Sequence, residues 1–161
     1  MPSFLKDLKS GQDGEQRLVA ILNKCGIETE SVGRKQPLWD IECSWKAKNF
    51  TIEVKNDLYE AKSGNVAIEI HNCKSDKPSG LTSTQADLWC HILTDDIWII
   101  STDKLRKFVE ETKPLRKIKA GGDGNATLLL FPTSQITTVF TKISGLSKSK
   151  ASKAIQDMLC V

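Results

Sequence analysis

Pro37-Leu38-Trp39-Asp40-Ile41-Glu42-Cys43-Ser44-Trp45, followed closely by Asn49-Phe50-Thr51-Ile52-Glu53-Val54-Lys55, is the stretch that decides the fold. In the first segment Trp39, Ile41, Cys43 and Trp45 alternate with Asp40, Glu42 and Ser44; in the second, Phe50, Ile52 and Val54 alternate with Thr51, Glu53 and Lys55. A period of two belongs to strands with one face buried, so the pair predicts two adjacent strands, near 38–45 and 49–55. Alternation also puts Glu53 and Lys55 on one side of a stiff element, with Asp40 on the polar face of the strand before it.

Working outward, Asp13 and Gln16 make a capping-box pattern, and Leu18, Leu22 and Cys25 form a helical stripe flanked by Val19 and Ile21. Cys25-Gly26 ends that helix. After the loop 56–64 comes a third strand, Asn65–Asn72, then the turn-rich 75–80 and a predicted helix over Ser83–Leu93. Ile97-Trp98-Ile99-Ile100 reads as a strand covered on both faces. Asp103–Thr112 reads as an amphipathic helix stopped by Pro114, and Leu115–Ala120 and Ala126–Phe131 as a hairpin around Gly121–Asn125. Helical character returns weakly after Pro132 and firmly over Lys148–Leu159. The order is α/β: a mixed sheet with helices on its faces, in a single domain over 1–161. The elements run α-β-β-β-α-β-α-β-β-α, the last four of them in a basic C-terminal part, about 103–161, with a hairpin and a helix.

The 161 residues are 39% hydrophobic and 27% charged, an ordinary globular profile that excludes collagen-like, mucin-like and wholly disordered chains. No apolar run approaches the roughly 20 residues that cross a bilayer, and Met-Pro-Ser-Phe-Leu-Lys-Asp lacks the order of a signal peptide, so the expected location is intracellular. Cys25, Cys43, Cys73, Cys90 and Cys160 form no CxxC or CxH pair, which points to small core side chains in a reducing compartment. Charge is unevenly placed. Residues 104–150 hold ten lysines and arginines against three acids, a net of +7, which leaves −4 for residues 1–103 within a total of +3. Carboxylates working locally beside a surface suited to a polyanion would give such a split; so would an uneven solvated surface.

Three Glu-x-Lys triplets occur, at Glu53–Lys55, Glu60–Lys62 and Glu111–Lys113, so the triplet alone carries nothing. Only the first lies in an alternating strand within reach of another strand's carboxylate. Metal-assisted phosphodiester hydrolysis wants this set: two carboxylates as hard ligands for Mg²⁺, and a lysine to hold a water and offset charge on the phosphate. A solvated strand face with a weak ion pair is the bland alternative. Glu15 heads the buried stripe of the first helix, either complementing the helix dipole or aiming a third carboxylate at the site. Gln85 stands at i, i+4, i+7 with Trp89 and Ile92, either completing a capping box with Thr82 or pointing an amide inward.

Glu15, Asp40, Glu53-Val54-Lys55 and Gln85-x-x-x-Trp89, in that order, resemble the PD-(D/E)XK nuclease superfamily over about residues 12–102. Gly14-Glu15 and the short 40–53–55 spacing are most similar to archaeal-type Holliday-junction resolvases and related small phage nucleases; the Gln-x-x-x-aromatic pattern is similar to one in the exonuclease-like branch. The family's Pro directly before the Asp is missing, Pro37 lying three positions earlier. The resemblance implies that Asp40, Glu53 and the Val54 carbonyl bind Mg²⁺ or Mn²⁺. It implies that Lys55 activates water, that Glu15 reaches a second metal or its water, and that Gln85 orients Lys55 or contacts DNA. Products would carry 5′-phosphate and 3′-hydroxyl ends, and a resolvase would act as a homodimer.

Glu69 shares a strand face with Ala67 and His71, placing it either next to the site or in solvent; His71 and His91 read as structural, and Asp95-Asp96 as a solvated turn. DNA is expected to be met through its phosphates by Arg116, Lys117 and Lys119 on the hairpin, and by Ser83 and Thr84 at a helix N-terminus. A lysine-protected sheet edge is the alternative for the hairpin. Besides a structure-selective nuclease, the sequence leaves open a phage-type nuclease on linear, nicked or flapped DNA, and a DNA-binding module with an inactive core.

Overall fold

The computed structural model describes residues 2–32, 35–94, 96–120 and 124–160, with side chains from Asp13 onward. The expected tip of the hairpin at 121–123, and Asp95, lie outside the described residues. Helix α1 (Pro2–Lys24) lays Leu18 and Leu22 on the first core. Strands β1 (Glu28–Ser31), β2 (Ile41–Trp45) and β3 (Lys48–Asp57) follow as an antiparallel meander. The two-residue turn between β2 and β3 places Lys46 and Ala47 at positive φ (48° and 63°), the handedness that a tight hairpin needs.

From β3 the chain runs through α2 (Glu60–Ser63), β4 (Asn65–Asn72), β5 (Lys77–Pro78) and a single 3₁₀ turn, Gly80–Thr82. It then enters β6 (Leu88–Leu93), which pairs parallel to β3. β7 (Asp96–Ser101), α3 (Thr102–Glu111), β8 (Arg116–Ala120), β9 (Ala126–Pro132), α4 (Thr133–Ile136), β10 (Thr141–Lys142) and α5 (Lys148–Leu159) complete the chain. The main sheet is mixed, in the order β1-β2-β3-β6-β7-β10, and a second sheet runs β5-β4-β9-β8. The molecule is thus α/β in a single domain, as the sequence predicts. Among the described residues no helix is long and apolar enough to cross a membrane.

One expected element changes type. Residues 83–93 form no helix; the segment ends in β6, whose six residues are all buried. Leu88, Cys90 and Ile92 point to the core under α1 and α5, while Trp89 and Leu93 point to the core shared with the second sheet. A short run buried on both faces has no solvent side, so its helical spacing of Trp89 and Ile92 is coincidental. The crossover joining β3 to β6 is therefore built from the strands of a second sheet instead of a helix. The expected third strand, at 65–72, belongs to that second sheet. β1 carries four polar residues at a sheet edge, which is why no apolar alternation announces it.

Cys25, Cys43 and Cys90 are buried and all five thiols are free. Burial pushes the Cys43 thiol up to about 12, so it behaves as an apolar side chain.

Candidate active site

Ile41 pairs with Ile52 across the β2–β3 ladder. Continuing that antiparallel register by one residue sets Asp40 opposite Glu53. Asp40 lies just before β2; its N–H donates to the Ile52 carbonyl (3.0 Å), and its Oδ2 accepts the Val54 N–H at 2.7 Å. The Asp40 carboxylate thus extends the ladder by one bond just ahead of the start of β2. Strand geometry turns the Val54 carbonyl the same way as its N–H, toward Asp40.

On the adjoining face Lys55 Nζ meets Glu53 Oε1 at 2.6 Å, with Nζ 5.7 Å from the centre of the buried Trp89 ring. Glu53 is only 7% exposed. Burial raises its pKa; the Asp40 charge adds to the rise, and Lys55 and Thr84 oppose it. Burial works against the Lys55 ammonium, but Glu53, Asp40 and Glu69 outweigh it and lift its pKa. Glu53 is thus buried between two half-buried partners, Asp40 and Lys55, the lysine side chain keeping 33% of its surface exposed.

Thr84 is a finding that the sequence assigned to DNA contact. It is buried, its hydroxyl 3.2 Å from Glu53 Oε2 and 2.9 Å from the Leu38 carbonyl, and it accepts the Ala86 N–H at 3.2 Å. Burial removes it from any DNA backbone, and no helix begins beside it. Arg106 fixes this loop from α3 through Nη2 to the Thr84 carbonyl (2.6 Å) and Nε to the Leu81 carbonyl (3.4 Å). Gly80 (φ 54°) lies so close to β4 that a Cβ would run into the Glu69 carbonyl. No local pattern marks Thr84 or Arg106, because their partners are remote in sequence.

The remaining candidates separate. Glu69, half-buried on β4, accepts the Ser79 hydroxyl at 2.6 Å and lies near enough to act on Lys55. Glu15 follows Gly14, which packs against Asn56 and Ile92 on the α1 face of β3. That face is opposite to Glu53 and Lys55, and Glu15 has no ion pair or hydrogen bond to the site among the described residues. Gln85 is exposed and lines a different cleft with Asp87, Asp103 and Leu159; only its backbone N–H reaches toward the site, to the Leu38 carbonyl (3.1 Å). Ser83 is exposed, its hydroxyl bonded to the Gly80 carbonyl at 3.4 Å.

Arg116, Lys117 and Lys119 are exposed on the edge strand β8, but they divide between faces. Arg116 pairs with Leu130, which pairs with Ala67, on the face that carries Glu69 and Leu128; Lys117 pairs with Leu129 and Ile68 on the other. Lys119 shares the face of Lys117.

His91 and Asp57 form a buried pair on the same side of the main sheet. Trp89 Nε1–H donates to His91 Nδ1 (3.1 Å), so the ring's proton sits on Nε2, 3.6 Å from Asp57 Oδ2. Burial tends to raise the Asp57 pKa, yet His91 and the N–H groups of Ala67 and Tyr59 outweigh it and hold the carboxyl below the usual range.

Among the described residues no three acidic, imidazole or thiol groups gather as a metal cage. Asp40, Glu53 and the Val54 carbonyl nevertheless suit Mg²⁺, which binds through one or two carboxylates and keeps its waters. Burial is the main reason the Glu53 pKa is raised, and the Asp40 charge that adds to it is what a divalent cation would offset. No protein-family model, curated protein or solved structure matches the chain.

Proposed function

We propose that the protein is a Mg²⁺-dependent deoxyribonuclease of the PD-(D/E)XK kind, acting on branched DNA as Holliday-junction resolvases do. The observation that supports this reading is the meeting of Asp40, Glu53 and Lys55 beside the start of β2, with Lys55 2.6 Å from Glu53. Asp40, Glu53 and the Val54 carbonyl would hold Mg²⁺, or Mn²⁺ in its place. A metal held there would supply Lewis-acid polarisation of a phosphoryl oxygen and acidify a nearby water. Lys55 orients the attacking water and offsets charge gathering on the phosphate. Thr84 keeps Glu53 turned toward the site, and the hydrolysed strand ends in 5′-phosphate and 3′-hydroxyl groups. Paired cuts across a four-way junction require a symmetric dimer.

The test is cleavage of four-way, flapped, double-stranded and single-stranded DNA with Mg²⁺, Mn²⁺ or EDTA. Cutting that needs the metal and disappears in Asp40→Asn and Lys55→Ala, with DNA binding kept, supports the reading. Cutting unaffected by both substitutions overturns it. Preference for flaps or nicks by a monomer selects the phage-type nuclease over the resolvase. Metal-independent binding without cutting of any substrate leaves a DNA-binding module.

A further inference from the structure

Beside Lys55 a cleft of about 300 Å³ opens between the end of β3 and the second sheet, lined by Leu58, Tyr59, Glu69, His91 and Leu128 among others. Leu58 is 42% exposed and Tyr59, the sole tyrosine of the chain, 72%, so two neighbouring large side chains stand unburied at its rim. Their turn is not loose. Asp57 Oδ1 accepts the N–H groups of Tyr59 (3.1 Å) and Glu60 (3.0 Å), and its Oδ2 that of Ala67 (3.1 Å). Glu60 is tied in turn to the Thr133 hydroxyl at 2.6 Å. A flat ring is thereby presented on a fixed mount within the cleft that holds the candidate catalytic lysine.

The floor adds a second observation. His91 is 2% exposed, and its Nε2 has no hydrogen-bond partner. With Nδ1 occupied by Trp89, Nε2–H faces Asp57 Oδ2 at 3.6 Å, so a buried polar pair lines the wall of this cleft behind Tyr59. Glu69 supplies an acceptor nearby. An aromatic platform and a carboxylate acceptor beside Lys55 match a planar heterocycle with polar edges.

Resting on the nuclease reading, we infer that this cleft receives an unpaired nucleobase next to the scissile phosphate, stacked on Tyr59. A base inside a duplex cannot enter without unstacking, so the cleft favours a base left unpaired at a branch point or strand end over one in intact duplex.

The experiment uses the full chain in EDTA, with flapped and fully paired DNA carrying 2-aminopurine near the branch. Binding to wild type and to Tyr59→Phe should change the fluorescence of the unpaired base, and Tyr59→Ala should bind the flap roughly tenfold more weakly while its duplex affinity stays the same. Equal flap affinity of wild type and Tyr59→Ala, or an equal loss on duplex, overturns the proposal. Stacking that is present in a protein unable to cut with Mg²⁺ keeps the cleft and overturns the catalytic reading. Normal cutting with no effect at Tyr59 does the reverse.

Discussion

The Thr84 hydroxyl lies 3.2 Å from Glu53 Oε2, joining a loop 31 residues away to a carboxylate in the middle of β3. The same hydroxyl accepts the Ala86 N–H and reaches the Leu38 carbonyl next to Asp40's segment. Thr84→Val keeps the shape but leaves buried polar groups short of partners, so it should cost about 1–3 kcal/mol in urea unfolding. Cutting should fall with it, and Thr84→Ser should restore both. A valine variant of full stability and activity would remove Thr84 from the site.

Asp40→Asn keeps an oxygen for the Val54 N–H and removes the charge that helps to raise the Glu53 pKa. Stability should stay within about 0.5 kcal/mol of wild type, or rise, while cutting drops by roughly 100-fold or more. Active sites hold like charges at some cost to the fold, and their removal shows as stability gained with function lost. A large drop in melting temperature would make Asp40 a structural residue.

Lys55→Ala leaves Glu53 buried without its cation. The Glu53 pKa, already raised, then rises further, and between its unfolded and folded values the native state holds more protons than the unfolded one. Stability of this variant therefore falls as pH rises through that window. The deficit against wild type should be about 1–3 kcal/mol at neutral pH and close below the ordinary glutamate range. Urea titrations at acid and neutral pH measure it; a deficit independent of pH would contradict the ion pair.

Asp57 works in the opposite direction. Its pKa is lowered, so its contribution is present above the unfolded value and is lost as pH falls through the folded one. Asp57→Asn should weaken the fold by about 1–3 kcal/mol at neutral pH, with the gap narrowing below about pH 4. A gap that widens in acid would show that another group carries the effect.

Arg116 alone of the three hairpin cations shares the face of Glu69 and Leu128. Arg116→Ala should weaken DNA binding and reduce the salt slope by about 0.9, the value for one lost phosphate contact. Lys117→Ala and Lys119→Ala should change it less. The reverse ranking would put DNA on the other face of the second sheet.

Alternation in 39–45 and 49–55 was legible because each strand keeps its apolar residues on one face, and apolar periodicity likewise carried the hairpin at β8–β9 and helix α5. It failed at 83–93. A strand buried on both faces has no polar period, and the second sheet that covers Trp89 is assembled from β4, β9 and β8, far apart in the chain. Gln85 fell with the helix that was to aim it. Glu15 stayed on the α1 face, because a helical stripe reveals burial without revealing which side of the sheet receives it.

What the sequence determined by itself was local: which residues share a strand face, hence that Glu53 and Lys55 lie together and that Asp40 belongs to the polar side of the neighbouring segment. Tertiary structure decided their chemistry. The register set Asp40 opposite Glu53, the loop held by Arg106 brought Thr84 onto the carboxylate, and the second sheet covered the neighbouring Trp89. Burial and long-range pairing set how strongly charges interact, and both depend on residues that meet only after the chain has folded.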